Sequence, residues 1–314
     1  MIIGVPKEIK NHEYRVGLTP SVVRELTRNG HEVIVEAQSG FSIGLKNGHY
    51  EEVGARIVAT ASEVFSLAEM IVKVKEPQPA ECKMLRPEQL IFTYLHLAPD
   101  PEQTKLLVNS GATCVAYETV TDDAGALPLL APMSEVAGRM SIQEAAVCLE
   151  KSKSGSGVLL GGVPGVEPAN VVIIGGGVVG LNGARMAMGL GANVTILDRS
   201  IARLKHIDEI YEGRIKTLFS TTDTIERQLR TADAVIGAVL VPGAAAPKLV
   251  TRQMLSLMKK GSVLVDVAID QGGCFETSKA TTHEDPTYIV DGIIHYCVAN
   301  MPGGVARTST FALN

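Results

Sequence analysis

The sequence predicts an α/β protein of two domains, each built on a parallel β-sheet with helices on its faces. Three observations carry that expectation. Apolar runs of strand length alternate with helix-length stretches, which requires crossover connections and parallel pairing. The length of 314 residues corresponds to two domains of ~150 residues. Aromatic residues make up 4% of the chain and tryptophan is absent, so the core is aliphatic, as in buried parallel sheets.

The first domain is expected over residues 1–132. Residues 2–5 read as a strand. Thr19-Pro20-Ser21 opens a helix that runs to Arg28 and stops at Asn29-Gly30; threonine caps well and proline suits a first turn. A strand follows over 31–37, then a Gly-rich loop with a short helix over 39–54, a helix near 62–67 and a strand over 70–75. Pro77 and Pro79 interrupt the chain. The pattern resumes with a strand over 90–96, a helix over 101–110 and a strand over 113–120. Polar residues stand at the downstream ends of these strands: Lys7 and Glu8, Lys75, and His96. Ligands bind beyond the carboxyl ends of strands in an open parallel sheet, so Lys75 and His96 are expected in one crevice. Taken singly, a strand-end lysine is ordinarily solvated and a lone histidine ordinarily packs. The shared edge is what favours function.

The second domain is expected over residues 133–304, entered through a long helix over 133–151 and a loop rich in Gly, Ser and Lys over 151–165. Its centre is VVIIGGGVVG at 171–180, a G-x-G-x-x-G between a β-branched strand and a helical stretch, followed by a strand at 193–197 that ends in Asp198. An acid about 20 residues after the glycines is where a dinucleotide-binding Rossmann fold places its ribose partner. Gly175 permits the tight turn, Gly177 lets backbone N–H groups approach a pyrophosphate, and Gly180 lets helix and strand pack closely. The helix N-terminus adds its positive dipole. Further strands are read at 215–219, 234–239, 263–269 and 293–299, and six strands suit the order 3-2-1-4-5-6. The loops at 240–243, 270–273 and 300–303 then border the nicotinamide half, with Asp270 at a strand's carboxyl end facing an inter-domain cleft. Asp198 favours NAD over NADP, because a carboxylate bonds a 2′-hydroxyl and repels a 2′-phosphate, although Arg199 stands beside it. Residues 305–314 read as the start of a further helix.

Composition removes several classes. A formal net charge of -5 without a basic cluster gives no support for nucleic-acid or anionic-membrane partners. No run of 18 apolar residues spans a bilayer, and MIIGVPKEIK lacks the features of a secretory signal. Cys82, Cys114, Cys148, Cys274 and Cys297 are scattered and contain no C-x-x-C pair, so they read as reduced thiols of a cytosolic protein, without a metal or disulfide framework.

A nicotinamide fold implies hydride transfer, with the protein orienting the substrate. The remaining needs are an anion clamp and a proton shuttle. Arg15, just before the first helix, can hold a carboxylate bidentately, and Lys75 can add a second cation. His96 suits general acid–base work near neutrality, and Asp270 can act as a second acid–base group or orient a water. Together these point to a small carboxylic acid oxidised at Cα.

Over essentially its whole length the chain resembles the alanine dehydrogenase family, which includes the pyridine nucleotide transhydrogenases. The matching stretches are MIIGVPKEIKNHEYRVGLTP, VKVKEP, FTYLHLA, AYETV, PLLAPMSEVAGRMS, VVIIGGGVVGLNGARMA, AVLVPGAAAPKLVT, GSVLVDVAIDQGG and HYCVANMPGGVARTST. The resemblance implies reversible oxidative deamination of L-alanine to pyruvate and ammonia with NAD. By the same resemblance Arg15 and Lys75 hold the substrate, and His96 and Asp270 are the catalytic acid–base pair. Ser134, Val178, Val179, Asp198, Arg203, Ser220, Val239, Leu240, Val267, Ala268, Ile269, Asp270, Lys279, Val298, Ala299, Asn300 and Met301 fall where that family touches its cofactor. A cytoplasmic homohexamer is implied too, as is a further C-terminal segment, so a shortened form of the family chain is expected. Two other readings are a soluble NAD(H)-binding module of a transhydrogenase, and a non-catalytic NAD-binding protein. A transhydrogenase module is expected to carry Asn in place of Lys75 and no histidine at 96, and the residues present favour the dehydrogenase. Another amino- or imino-acid dehydrogenase fits the substrate-side stretches less well.

Overall fold

In chain order the strands are β1 (Ile2–Val5), β2 (Glu32–Glu36), β3 (Arg56–Val58), β4 (Met70–Val72), β5 (Leu90–Thr93), β6 (Thr113–Ala116), β7 (Asn170–Ile174), β8 (Asn193–Asp198), β9 (Lys216–Phe219), β10 (Ala234–Gly237), β11 (Val263–Asp266), β12 (Thr287–Val290) and β13 (Ile293–Tyr296). The helices are α1 (Pro20–Arg28), α2 (Asn47–Glu51), α3 (Ala61–Leu67), α4 (Pro79–Cys82), α5 (Pro101–Ser110), α6 (Ala131–Cys148), α7 (Val178–Gly189), α8 (Ile201–Tyr211), α9 (Thr222–Leu229) and α10 (Ala306–Leu313). They come from a computed structural model that describes residues 1–239 and 246–314. The chain divides into two units, Met1–Met133 with Pro302–Asn314, and Ser134–Met301.

The first unit holds a parallel sheet in the order β3-β2-β1-β4-β5-β6. Its strands alternate between two apolar layers, as the period-2 geometry of a strand dictates. Val33 and Val35 of β2 enter one layer with Val23 of α1 and Ala306 of α10. Ile34 between them enters the other, with Val64 and Phe65 of α3 and Leu107 of α5. Each such fully buried aliphatic side chain contributes about 1.5–3 kcal/mol. The strand order reverses between β1 and β4, so their carboxyl ends open the crevice where an open α/β sheet accepts ligands. The segments leaving those ends carry Glu8, Glu13 and Arg15 from β1, and Lys73 and Lys75 from β4.

The second unit has the order β12-β13-β11-β10-β7-β8-β9. Its first six sequential strands other than β12 follow the expected 3-2-1-4-5-6, and the switch point lies between β7 and β10. One apolar layer is built from Val172 and Ile174 of β7, Leu197, Val235, Leu264 and Phe275.

Several strands are shorter than the apolar runs suggest. The run at 263–269 leaves the sheet at Asp266, and residues Val267–Gln271 form a 3-10 turn. Asp266 causes this: its side chain accepts the Ala268 N–H and caps the turn. Likewise β6 gives way at Tyr117 to a 3-10 turn. The short strand β3, the helical turn α4 and the edge strand β12 were not anticipated. α4 carries a proline at its first turn, where no N–H is needed. β12 pairs antiparallel with β13 across Asp291-Gly292, both at positive φ (50° and 78°), the geometry of a tight hairpin turn.

Candidate active site

In the first unit the predicted substrate-side residues are held by carboxylates. Arg15 is buried and makes a two-pronged ion pair with Glu13: Nε donates to Oε1 at 2.7 Å and Nη2 to Oε2 at 2.5 Å. Its Nη1 reaches the Met133 sulfur at 3.3 Å. Met133 belongs to a small apolar cluster with Val74, Tyr94 and Tyr117. The Tyr94 ring lies parallel to the His96 imidazole, with centroids 5.8 Å apart and planes at 7°. Tyr94 therefore joins the Arg15 side of the site to His96.

His96 sits at φ 48°, a left-handed backbone that a non-glycine residue adopts only when its surroundings impose it. Glu118 supplies that constraint. Its Oε1 accepts the His96 N–H at 2.6 Å and the Leu95 N–H at 3.1 Å, and lies 3.8 Å from His96 Nδ1. Lys75 is similarly placed through its backbone: Glu8 Oε1 accepts the Val74 N–H at 2.7 Å and the Lys75 N–H at 3.3 Å. The Lys75 ammonium lies 3.4 Å from Glu76, whose other oxygen accepts from Lys10. Burial pushes the Glu76 carboxyl up, but Lys75 and Lys10 outweigh burial and hold it below its ordinary value. Behind Glu8 stands Lys73, fully buried, donating to Glu8 at 3.0 Å and to Glu81 at 2.7 Å. Burial pulls the Lys73 ammonium down, yet the two carboxylates more than offset this and keep it charged.

In the second unit the three glycines differ in what they face. Gly175 has φ 107°, and a Cβ there would lie 2.5 Å from the Ala238 carbonyl oxygen. A Cβ at Gly180 would lie 1.8 Å from the Gly175 oxygen, so α7 abuts its own turn. At Gly177 a Cβ would meet nothing within 4 Å. That glycine serves no packing need of the chain, and its open side fits a phosphate approaching the N-terminus of α7. Asp198 Oδ2 accepts the Gly176 N–H at 2.6 Å, and Oδ1 accepts the Ser200 N–H at 2.7 Å. Arg203 leans over the same turn, its Cγ 3.2 Å from where a Gly176 Cβ would stand. The Ser220 N–H donates to the Asp198 carbonyl, and a Val239 methyl carbon lies 3.1 Å from a Cβ built on Gly175. Ser134 begins the second unit on α6, one turn before Gly138, where a Cβ would meet the Val179 oxygen at 2.2 Å. Val178 is exposed at the start of α7. A dinucleotide's charge and shape thus fit the residues present.

Asp270 is exposed on the turn Val267–Gln271, with Val267 and Ala268 half-buried and Ile269 buried. Beneath it Asp266 is fully buried, accepting the Ser278 hydroxyl at 2.5 Å and the Phe275 N–H at 3.2 Å. Burial pushes the Asp266 carboxyl above its ordinary value. Lys279 follows Ser278, and its N–H donates to the Tyr288 hydroxyl at 2.6 Å. Val298 and Met301 are buried and Ala299 half-buried, the Ala299 N–H donating to Thr281. Asn300 has φ 61°, and its carbonyl lies 3.1 Å from His283 Nε2. Leu240 lies outside the described residues. Burial pushes the Cys274 thiol up to about 12, and among the described residues all five cysteines are free.

Arg15, Lys75 and His96 therefore follow the carboxyl ends of β1, β4 and β5 in the first unit, and the glycine turn, Asp198, Arg203, Ser220 and Val239 lie together in the second. Glu8, Glu13, Lys73, Glu118 and Asp266, which brace these residues or their backbone, carry no motif that singles them out. Lys7 and Glu8 read in the sequence as polar residues past a strand. The available signals are one acid two residues before Arg15, Glu13, and the lysines alternating through VKVKE.

These features define an α/β protein with a Rossmann-type dinucleotide fold and a second parallel-sheet unit carrying a cationic, histidine-containing site. Sequence comparison narrows the class. Residues 4–137 match the family "Alanine dehydrogenase/PNT, N-terminal domain" and residues 141–314 match "Alanine dehydrogenase/PNT, C-terminal domain". The chain belongs to the alanine dehydrogenase/PNT family, which works with a nicotinamide dinucleotide. It is 64% identical to an alanine dehydrogenase of Halomonas elongata, over 100% of this chain and 84% of that protein. It is 56% identical to an alanine dehydrogenase of Bacillus subtilis, over 100% of this chain and 82% of that protein. A solved L-alanine dehydrogenase superposes with a TM-score of 0.96 at 52% identity, covering 100% of this chain and 87% of that one. A transhydrogenase of Sinorhizobium meliloti gives 0.86 at 27% identity, covering 100% and 91%. The higher identity to the dehydrogenases disfavours the transhydrogenase reading. No described helix is long and apolar enough to cross a membrane.

Proposed function

We infer that the chain catalyses the NAD-dependent, reversible oxidative deamination of L-alanine to pyruvate and ammonia. The observation that carries this reading is 52–64% identity to alanine dehydrogenases over all of the chain. The gathering of Arg15, Lys75 and His96 at the carboxyl edge of one sheet supports it. NAD supplies the hydride acceptor. Arg15, already oriented by Glu13, presents its guanidinium to the substrate carboxylate. Lys75 adds positive charge where the carbonyl oxygen of pyruvate develops. His96 takes the proton from the substrate nitrogen or from the attacking water, and its fixed backbone keeps the imidazole aimed. Asp270 is the second acid–base group. The cofactor rests on the open side of Gly177, with Gly175 and Gly180 shaping the turn. Asp198 and Arg203 lie on the ribose side. Ser134, Val178, Val179, Ser220, Val239, Leu240, Val267, Ala268, Ile269, Lys279, Val298, Ala299, Asn300 and Met301 complete the cofactor's surroundings. A cytoplasmic homohexamer is part of the same reading, and sedimentation of the purified protein tests its assembly.

The decisive assay mixes the protein with L-alanine and NAD at alkaline pH and follows NADH absorbance. His96→Ala is expected to abolish turnover while NAD affinity, measured by calorimetry, stays unchanged. Clear NAD binding without NADH formation in the unaltered protein would overturn the enzymatic reading in favour of a binding module.

A further inference from the structure

The first unit contains a buried charged cluster that substrate binding does not itself require. Lys73 is fully buried at the carboxyl end of β4, and its ammonium is shared by Glu8 at 3.0 Å and Glu81 at 2.7 Å. Apolar residues at 8, 73 and 81 together would avoid the desolvation penalty of the whole cluster, so it is an expensive way to fill that volume. What distinguishes its members is where their remaining oxygens point. The second oxygen of Glu81 accepts the Gln78 N–H and caps α4, a local structural role. The second oxygen of Glu8 accepts two successive backbone N–H groups, those of Val74 and Lys75. Two adjacent N–H groups converging on one carboxylate oxygen form an anion-binding nest, and the nest sets the direction in which residue 75 leaves the sheet. The Lys75 carbonyl is fixed as well, accepting the Thr93 hydroxyl at 2.9 Å. Val74, between Lys73 and Lys75, packs with Tyr94, whose ring faces His96.

We propose that Glu8, held in place by Lys73, is a positioning residue that aims Lys75 at the substrate. The inference rests on the functional reading above, because it takes Lys75 as a substrate-binding group. Glu8 touches no substrate; it acts through the backbone of residues 74 and 75. Lys73 keeps the Glu8 carboxylate in one orientation, since a buried carboxylate cannot turn away from its counter-charge without large cost.

The test is pyruvate binding to the complex of the full chain with NADH, read by NADH fluorescence, in Glu8→Ala, Lys75→Ala, the double variant and Glu81→Gln. Glu8→Ala is expected to weaken pyruvate binding by about tenfold or more, the scale of a lost charge-assisted hydrogen bond, with NADH affinity unchanged. In the Lys75→Ala background the same substitution should cost nothing further, because its effect passes through Lys75. Glu81→Gln, which also touches Lys73 but not residues 74–75, should lower the thermal midpoint and leave pyruvate affinity intact. Unchanged pyruvate affinity in Glu8→Ala, additive losses in the double variant, or an equal loss in Glu81→Gln would overturn the proposal. If Glu8→Ala does not fold, Glu8→Gln takes its place, with the same non-additivity with Lys75→Ala expected and additive losses again decisive. Failure of the unaltered protein to bind pyruvate sinks the functional reading and this one together. Failure of Glu8→Ala or Glu8→Gln alone, with Lys75→Ala still defective, sinks only this one.

Discussion

The two units handle negative charge by opposite means. The second unit offers backbone to a pyrophosphate: a glycine turn, an open side at Gly177 and the N-terminus of α7. No buried cation is needed there, because main-chain dipoles come already solvated by the fold and oriented by it. The first unit, in the proposed function, would meet a small carboxylate with side chains, Arg15 and Lys75. Formal charges at a sheet edge have to be kept in place against water and against each other. Glu13, Glu8 and Glu118 do this, each binding either the cation itself or the main chain that carries the functional residue. A backbone site depends on shape and tolerates little added volume. A side-chain site depends on counter-charges and tolerates little removed charge.

That contrast can be broken from either side. The largest effect is expected in the first unit. Glu13→Ala breaks a buried ion pair with Arg15 and should destabilise the fold by about 3–5 kcal/mol, measurable by urea denaturation; a loss no greater than that of a surface substitution would show that Arg15 does not depend on Glu13. Next comes a pair of substitutions in the glycine turn. Gly180→Ala places a methyl 1.8 Å from a backbone oxygen and should destabilise by about 1–3 kcal/mol or more. Gly177→Ala adds the same methyl into open space, so stability should hold while NAD affinity falls in calorimetry. Equal behaviour of the two alanine variants would remove the distinction between a packing glycine and a ligand-facing one.

The smallest effect tests a buried ionisable group of the second unit. His295 is fully buried, its Nε2 2.7 Å from the Thr277 hydroxyl and its Nδ1 3.0 Å from the Ile293 carbonyl. Burial holds its pKa below the ordinary 6.5. In that window the unfolded chain binds the proton more readily than the folded one, so the contribution is present above 6.5 and is lost as pH falls toward the folded value. The thermal midpoint should therefore drop as pH goes from about 7 to about 5.5, and His295→Gln should flatten that slope. An unchanged slope would place the acid sensitivity elsewhere.

Much of this architecture was legible in local pattern. β1 and α1 begin and end where the apolar run at 2–5, Thr19-Pro20 and Asn29-Gly30 put them, and α5 has its expected bounds, because such signals act within a few residues. The strand order of the second unit followed from the glycine turn and the number of apolar runs. Strand ends were read too long at residues 73–75, 94–96 and 267–269. At those places the chain departs from the ladder to bond a carboxylate that is distant in sequence or folds back locally, as Glu8, Glu118 and Asp266 do. β12 was passed over although Asp291-Gly292 was a visible hairpin signal, since its four residues sit beside a single partner strand.

The sequence alone thus determined which residues could bear charge at the ends of strands, and that one turn was free of side chains. Its information there is short in range: periodicity, capping and glycine content need only neighbours along the chain. Both lysines are buried, and which carboxylates each one meets was decided by the tertiary structure. Lys73 and Lys75 alternate in one short run, and nothing in their spacing separates them. Only the packed unit brings Glu8 from beyond β1 and Glu81 from α4 onto Lys73, across 65 and 8 residues of chain, and leaves the Lys75 ammonium beside Glu76. Burial and counter-charge are properties of the packed molecule, and so the difference in partners between the two lysines is too.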